Sequence, residues 1–203
     1  CSSILSVTEY GGTSGSANVS VGYYAGNYNL GSHNTKIGKE AGRYATGSYN
    51  TFMGSEAGLG GTTSAPFSSG QYNVAVGTYA FDAFTQGNLN VAVGYNALSA
   101  ETIGVSTVAI GDNAGAAQNF GSNGTTYNTL VGSAAGFWNV TGTGNTYIGS
   151  QAGVGVSGNS NSNNTALGAN ALAGITTGGY NTTLGKDAGK AIKNANYNTF
   201  VGA

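Results

Sequence analysis

The chain repeats one short pattern of polar and apolar positions along nearly its whole length. Each copy has Asn (Thr once), then Val or Thr, a variable residue, an aliphatic residue or Met, and Gly, with an Ala three residues later. The copies start 16 to 23 residues apart, most often 17. Such self-similarity is typical of repeat architectures. The eleven copies begin at Asn18, Asn34, Asn50, Asn73, Asn90, Thr107, Asn128, Asn145, Asn164, Asn181 and Asn198.

The spacing within one copy predicts a short β-strand. The Val/Thr position and the aliphatic position are two residues apart, so they share one face of a strand. Because both are β-branched in most copies, we expect them to point inward, with the variable residue between them facing out. The Gly permits a bend, and the small Ala fits a narrow interior. One copy buries too little to fold alone, whereas stacked copies bury a continuous core.

These features predict an all-β fold, a parallel β-solenoid or β-roll of about eleven coils with a period near 17 residues. Strands of about four or five residues and almost no helix are expected, and segment 186–193 is assigned to turn and strand. Residues 1–17 lack the motif and form a cap or lead-in strand, and residues 18–203 form the repeat domain. Coils three, six and eight carry insertions that should protrude as loops, at 59–69, 118–126 and 156–163.

Composition excludes several classes of protein. Charged residues are 6% of the chain, and six Lys and Arg cannot form a basic patch for nucleic acid. The sequence has no run of 18 apolar residues, so no membrane-spanning helix is predicted. One Cys cannot build a disulfide framework. Cys1, followed by two Ser residues, resembles the start of a mature bacterial lipoprotein and is a candidate lipidation site; the alternative is an ordinary Cys.

Catalytic and metal-binding constellations are not predicted. His33 is the only His and stands in a turn position, so a catalytic triad lacks its parts. Glu40 and Glu56 occupy one column of consecutive coils, about 5 Å apart if stacked, which is the carboxylate separation of a retaining glycosidase. On an open ridge beside Lys39 they should be solvated and unperturbed. We therefore expect no enzyme, metal or cofactor; a recurring calcium motif would need more Asp than Asp82, Asp112 and Asp187.

The Asn column is the strongest structural signal. Side-chain amides at the strand entry can form a ladder between stacked coils, and this is favoured over a ligand-binding row because the column begins a buried strand. The Thr column next to it suggests ice binding, which uses outward Thr rows. Since the Thr shares a face with Ile, it is predicted to point inward, and ice binding is disfavoured. The ladder comprises Asn34, Asn50, Asn73, Asn90, Asn128, Asn145, Asn164, Asn181 and Asn198.

Aromatic residues give the candidate contact sites. Five Tyr residues immediately precede a motif Asn and are interpreted mainly as corner packing. Four other aromatics lie off the repeat columns, near insertions or outward turns, where they could stack on sugar rings; packing at a trimer or coil edge is the alternative. These candidate surface contacts are Phe67, Phe120, Phe137 and Trp138.

Two copies, Asn73–Gly77 and Thr107–Gly111, resemble the head repeat of YadA-type trimeric autotransporter adhesins. The longer form, Asn-Thr-x-aliphatic-Gly-x-x-Ala-Gly, is similar to repeats in bacteriophage tail fibres and in large surface proteins of the Bacteroidetes. The resemblance covers roughly residues 15–203. It implies a parallel β-roll or β-helix, often an intertwined homotrimer, that serves as a surface fibre or adhesin. The adhesin head repeat is about 14 residues long, shorter than this one, and a single-chain solenoid is the alternative.

Taken together, the sequence predicts an extracellular structural or adhesive fibre protein on a bacterial surface or phage tail. Its partners would be further copies of itself, as a homotrimer or by end-to-end stacking, and a glycan or cell-surface receptor. The alternatives are a self-polymerising filament subunit whose last coil, 198–203, stacks on another chain, a glycan-cleaving tail spike, and an ice-binding solenoid.

Overall fold

A computed structural model describes residues 15–121 and 124–202. Cys1 and most of the predicted cap lie outside these residues, so both stay predictions. The described chain is all-β, with eleven parallel three-residue strands and no helix, and the strands are shorter than predicted. The strands are β1 Val19–Val21, β2 Thr35–Ile37, β3 Thr51–Met53, β4 Val74–Val76, β5 Val91–Val93, β6 Val108–Ile110, β7 Thr129–Val131, β8 Thr146–Ile148, β9 Thr165–Leu167, β10 Thr182–Leu184 and β11 Thr199–Val201.

The strands form one parallel sheet in the order of the sequence, β1 to β11. Each strand pairs with the next in the same register, as in Thr129↔Thr146 and Val131↔Ile148. One coil is therefore one step of the stack, which confirms the predicted solenoid with its period near 17 residues. With strands about 4.8 Å apart, the sheet runs about 48 Å from β1 to β11.

The two faces of the sheet are the reverse of the prediction. The middle residue of β1 to β10 is buried, while the Val/Thr and aliphatic residues on either side face outward. In β6, Ala109 is 0% exposed and Ile110 is 39% exposed. The cause is the polar residue that precedes each strand, Thr107 before β6 and Asn elsewhere, which is buried before β2 to β10. It lies two residues before the middle position, so both side chains must point to the same side. Burying the amide column thus places the middle residue inside.

The interior of most coils is filled by one large side chain, which comes from either of two positions. It stands at the middle of the strand or directly after the buried Ala, and the other position is then small. At Gly153, an added Cβ would lie 2.3 Å from the Tyr147 ring. Large middle residues Lys36, Phe52, Leu130 and Tyr147 pair with Gly42, Gly58, Gly136 and Gly153, whereas Ala75, Ala92 and Ala166 pair with buried Phe81, Leu98 and Leu172.

The Gly that ends each strand is required by the stacking distance. Gly94 has φ +133°, and a Cβ there would lie 2.4 Å from the carbonyl oxygen of Gly111 in the next coil. No side chain fits at that approach, so the Gly column fixes the place where the chain leaves the sheet. The turn that follows holds a left-handed residue such as Glu40, at φ 57°, two positions further on.

The three predicted insertions leave the base coil but also contribute to the core. In the first insertion, Thr63 to Pro66 are exposed, as expected of a loop. Other members are buried, so the prediction that the insertions simply protrude is only partly correct. The buried members are Ser68 of 59–69, Gln118 and Thr126 of 118–126, and Asn159 and Asn161 of 156–163.

Candidate functional site

The buried Asn column connects each coil to the next through the side-chain amide. The Asn73 Oδ1 accepts from the backbone N–H of Asn90 at 3.0 Å, and its Nδ2 donates to the Gly87 carbonyl at 2.8 Å. The same pair of bonds starts from Asn50 and from Asn164. Both ends of the amide are thus used inside the stack, as the burial of a polar group requires. We assign these amides to holding coils together rather than to a ligand.

The ladder changes at Thr107, the one motif position without Asn, and a buried polar cluster stands beside it. Gln118 Nε2 donates to Thr107 Oγ1 at 2.9 Å and to Glu101 Oε2 at 3.0 Å, and its Oε1 accepts from Asn128 Nδ2 at 2.9 Å. The Thr107 and Thr126 hydroxyls also share a hydrogen bond. Gln118 and Thr126 come from the second insertion, so this insertion supplies the hydrogen-bonding groups that replace the missing Asn amide at Thr107.

The carboxylate of Glu101 in that cluster is fully buried and held by backbone N–H groups. Its Oε1 accepts from the N–H groups of Thr102, Ile103 and Gly104 at 2.8 to 3.2 Å, and both oxygens accept from the Phe120 N–H at 3.2 and 3.3 Å. Charge-assisted bonds of this kind satisfy a buried carboxylate. Sequence reasoning missed this residue because its partners are main-chain groups, which leave no motif.

A second buried charge lies in coil two, at the middle of β2. Lys36 is 0% exposed, and its Nζ donates to Ala45 O at 2.7 Å, Asn29 Oδ1 at 3.1 Å and Gly42 O at 3.2 Å. The sequence analysis placed this side chain outside. These two backbone carbonyl groups and the Asn29 amide oxygen solvate the ammonium, while the aliphatic part of the Lys36 side chain fills the coil.

Most of the acidic and basic side chains of the first coils form a ridge outside the sheet. Lys39 Nζ lies 3.6 Å from Glu40 Oε1 and 3.4 Å from Glu56 Oε1, and Arg43 lies 3.1 Å from Glu40 Oε2. The two Glu side chains are thus partly buried and ion-paired, not freely solvated as predicted. Burial raises the pKa of Asp82 to about 6, with a smaller contribution from the negative charge of Glu56.

The first insertion forms a groove of about 530 Å³ between its Pro66–Phe67 segment and the turns of the neighbouring coils. The Phe67 ring stacks on Tyr28 at 4.7 Å between centroids, and Tyr28 stacks on Tyr44 at 5.4 Å. The remaining walls carry uncharged polar and apolar side chains, and the ridge carboxylates are not among them. The lining comprises Leu30, Thr46, Thr62, Ala65, Pro66, Phe67, Ser69, Thr85 and Gln86.

The other candidate aromatics lie apart from this groove. Phe137 packs edge-on against Trp138 at 4.6 Å, and Trp138 is 38% exposed. Phe120 is half-buried in the second insertion. The Tyr residues that precede the motif Asn are exposed. They stack on one another along the rod, as in Tyr49–Tyr72 at 4.9 Å and Tyr180–Tyr197 at 5.0 Å, and His33 stacks on Tyr49 at 5.0 Å.

The outward side of the sheet is an uncharged surface that runs along all eleven strands. We call it the outer sheet face: the first and third residues of β1 to β11. No member is charged, and in each strand a Val or Thr stands beside an aliphatic residue or Met. Sequence reasoning placed these columns inside. Its members are Val19, Val21, Thr35, Ile37, Thr51, Met53, Val74, Val76, Val91, Val93, Val108, Ile110, Thr129, Val131, Thr146, Ile148, Thr165, Leu167, Thr182, Leu184, Thr199 and Val201.

No group of three or more His, Cys, Asp or Glu side chains within 15–121 and 124–202 could hold a metal ion. Among the same residues, no helix has the length and apolar character needed to cross a bilayer. Comparisons with protein-family models, with curated proteins and with solved structures found no match. Functional inference for this chain therefore rests on the geometry of the groove, the ridge and the outer sheet face.

Proposed function

We propose that the chain is a structural and adhesive module of an extracellular fibre, on a bacterial surface or a phage tail. The observation that carries this proposal is the unbroken stack of eleven coils, each paired in register with the next. Such a stack makes a rod about 48 Å long whose side chains can be varied without altering its shape. A fibre needs that property, since it must hold contact residues at fixed positions far from its anchor.

The adhesive contact is assigned to the groove at the first insertion. Its Phe67 ring stands beside Tyr28, and hydroxyl and amide groups of Thr46, Thr85 and Gln86 lie around it. Aromatic rings stack on the apolar faces of sugars, while hydroxyl and amide groups bond their hydroxyls. The uncharged lining favours a neutral glycan.

Binding of the full chain to a panel of neutral and acidic glycans tests this assignment. We expect retention on neutral glycans that is lost in Phe67→Ala and kept in the control Tyr127→Ala, which removes an exposed aromatic outside the groove. Equal binding by both variants would move the contact elsewhere. Incubation with the retained polysaccharide should give no new reducing ends; release of oligosaccharide would replace adhesion by cleavage.

The assembly of the fibre is a separate measurement. Sedimentation of the full chain distinguishes a single-chain rod from the homotrimer that the sequence resemblance implies. Electron micrographs of the same material distinguish short rods from filaments formed by end-to-end stacking. Long filaments would favour the self-polymerising subunit over the adhesive module.

A further inference from the structure

The outer sheet face differs from an ordinary protein surface in its regularity. All ten neighbouring strand pairs hold first residue against first and third against third. Side chains of one column therefore repeat about every 4.8 Å along the rod, and the two columns lie about 6.7 Å apart across it. The face is a two-dimensional grid rather than a set of scattered apolar residues.

The chemistry of this grid is a mixture of methyl and hydroxyl groups. The last five strands carry an unbroken Thr column, with Thr165, Thr182 and Thr199 exposed, and the parallel column ends in Val201 at 75% exposure. β-Branched side chains have few χ1 rotamers, so their hydroxyl and methyl groups hold nearly fixed positions. The adjoining backbone groups are bonded within the ladder and do not compete for water.

A second protein fits this surface poorly. A strip about 48 Å long and about 10 Å wide offers about 500 Å² per partner, below the roughly 800 Å² of a standard specific interface. It also lacks the Trp, Tyr and Arg anchors that dominate binding at protein interfaces. No charged residue stands on it to set the register of a partner.

We propose that the outer sheet face binds ice. Ice presents a periodic lattice of water oxygens whose repeat is close to the spacing between strands, and it offers no pocket or charge for an anchor to use. Water ordered between fixed methyl groups and bonded to the Thr hydroxyls can join that lattice, and the grid holds many such positions at once. This activity is independent of the groove at Phe67 and would be retained if the adhesive function failed.

The proposal is tested by thermal hysteresis and by inhibition of ice recrystallisation, using the full chain. Wild type should slow crystal growth. Thr165→Tyr places a bulky ring in the Thr column and should lose most of the activity. The control is Thr177→Tyr, which makes the same change at an exposed Thr outside the sheet, and it should behave as wild type. Unchanged circular dichroism melting of both variants confirms that the fold is retained.

Three results would overturn the proposal. The wild-type chain could have no effect on ice growth at all. The two Tyr variants could be equally active, or equally impaired, which would separate any activity from this face. Finally, sedimentation could show a dimer that Thr165→Tyr dissociates and Thr177→Tyr does not, which would make a second copy the occupant of the face.

Discussion

The exchange of core volume between two positions can be tested in one coil. Coil five is filled by Leu98, fully buried at φ 52°, while Ala92 stands at the middle of β5. Coil seven is filled by a Leu at the other position, Leu130, beside Gly136. If the two arrangements are equivalent, coil five should accept the pattern of coil seven. The test is the pair Ala92→Leu and Leu98→Gly, made singly and together.

The magnitudes follow from burial and backbone conformation. Leu98→Gly empties a closed interior, which costs about 2–5 kcal/mol, and it relieves about 1 kcal/mol of left-handed strain, so the net loss is about 3 kcal/mol. Ala92→Leu alone adds a Leu where Leu98 already lies and costs about 1–3 kcal/mol. The double variant restores one Leu per coil. It should lie within about 1 kcal/mol of wild type, a coupling of at least about 3 kcal/mol.

Thermal unfolding followed by circular dichroism gives the comparison. For a chain of this length 1 kcal/mol corresponds to about 2–4 °C, so Leu98→Gly should lower Tm by about 6–12 °C and the double variant by about 4 °C or less. Because repeat stacks can unfold in parts, hydrogen exchange of the residue 98 amide, bonded to the Ala114 carbonyl, should report coil five directly.

Ala134→Gly is the control for the backbone contribution, since Ala134 is left-handed at φ 54° and fills no core space. It should raise Tm by about 2–4 °C, because it relieves the same left-handed strain of about 1 kcal/mol as Leu98→Gly does. A double variant as unstable as the sum of the two single variants would refute the volume exchange. The large residues would then be specific to their own positions rather than alternative ways of filling one space.

Three further predictions concern the faces and the carboxylates. Ala109→Asp should unfold its coil, because an unpaired buried carboxylate costs several kcal/mol, whereas Ile110→Asp should change Tm by only a few degrees. The raised pKa of Asp82 means that the folded state binds the proton of this carboxyl more tightly than the unfolded state does. The free energy of unfolding should therefore fall by about 1 kcal/mol from pH 4 to 6, allowing for the partial exposure of Asp82. Urea titrations at several pH values should show this fall in wild type and not in Asp82→Asn. Glu101→Gln should cost about 1–3 kcal/mol in the same titrations, because Glu101 holds four backbone N–H groups.

The architecture was readable from the sequence because it depends on period alone. Recurring Gly, Ala and Asn columns require that each coil repeats the one before it, and the structure has that stack in register. The insertions were located correctly for the same reason. Their buried members could not be foreseen, since Gln118 and Asn161 also hydrogen-bond to Glu101 and Asn164, which lie in other coils.

The wrong assignment of the inner and outer sheet faces was avoidable. It came from overlooking that side chains alternate between the two sides of a strand, which we call the parity of the strand. The prediction placed Asn34 at a buried strand entry and Thr35 inside as well, although neighbouring residues of a strand point to opposite sides. A choice had to be made between the Asn column and the β-branched columns. The Asn column is buried because both ends of its amides are hydrogen-bonded inside the stack, whereas Val and Thr lose little when half exposed. The pairing of large and small core residues supports the same choice. Phe52 and Tyr147 can be matched with Gly58 and Gly153 only if their rings point inward.

Correcting the parity also changes which functions the sequence favours. Ice binding was disfavoured because Thr was placed inside with Ile; with the parity of the Asn column, the same residues form an exposed and regular grid. Lys36 was assigned to an outward position and Glu101 was missed, yet both are inside, bonded to carbonyl and N–H groups that no motif marks. The solenoid therefore buries polar side chains wherever a coil can satisfy them and leaves β-branched side chains outside. A surface built in that way is uncharged along its whole length, which suits contact with ordered water.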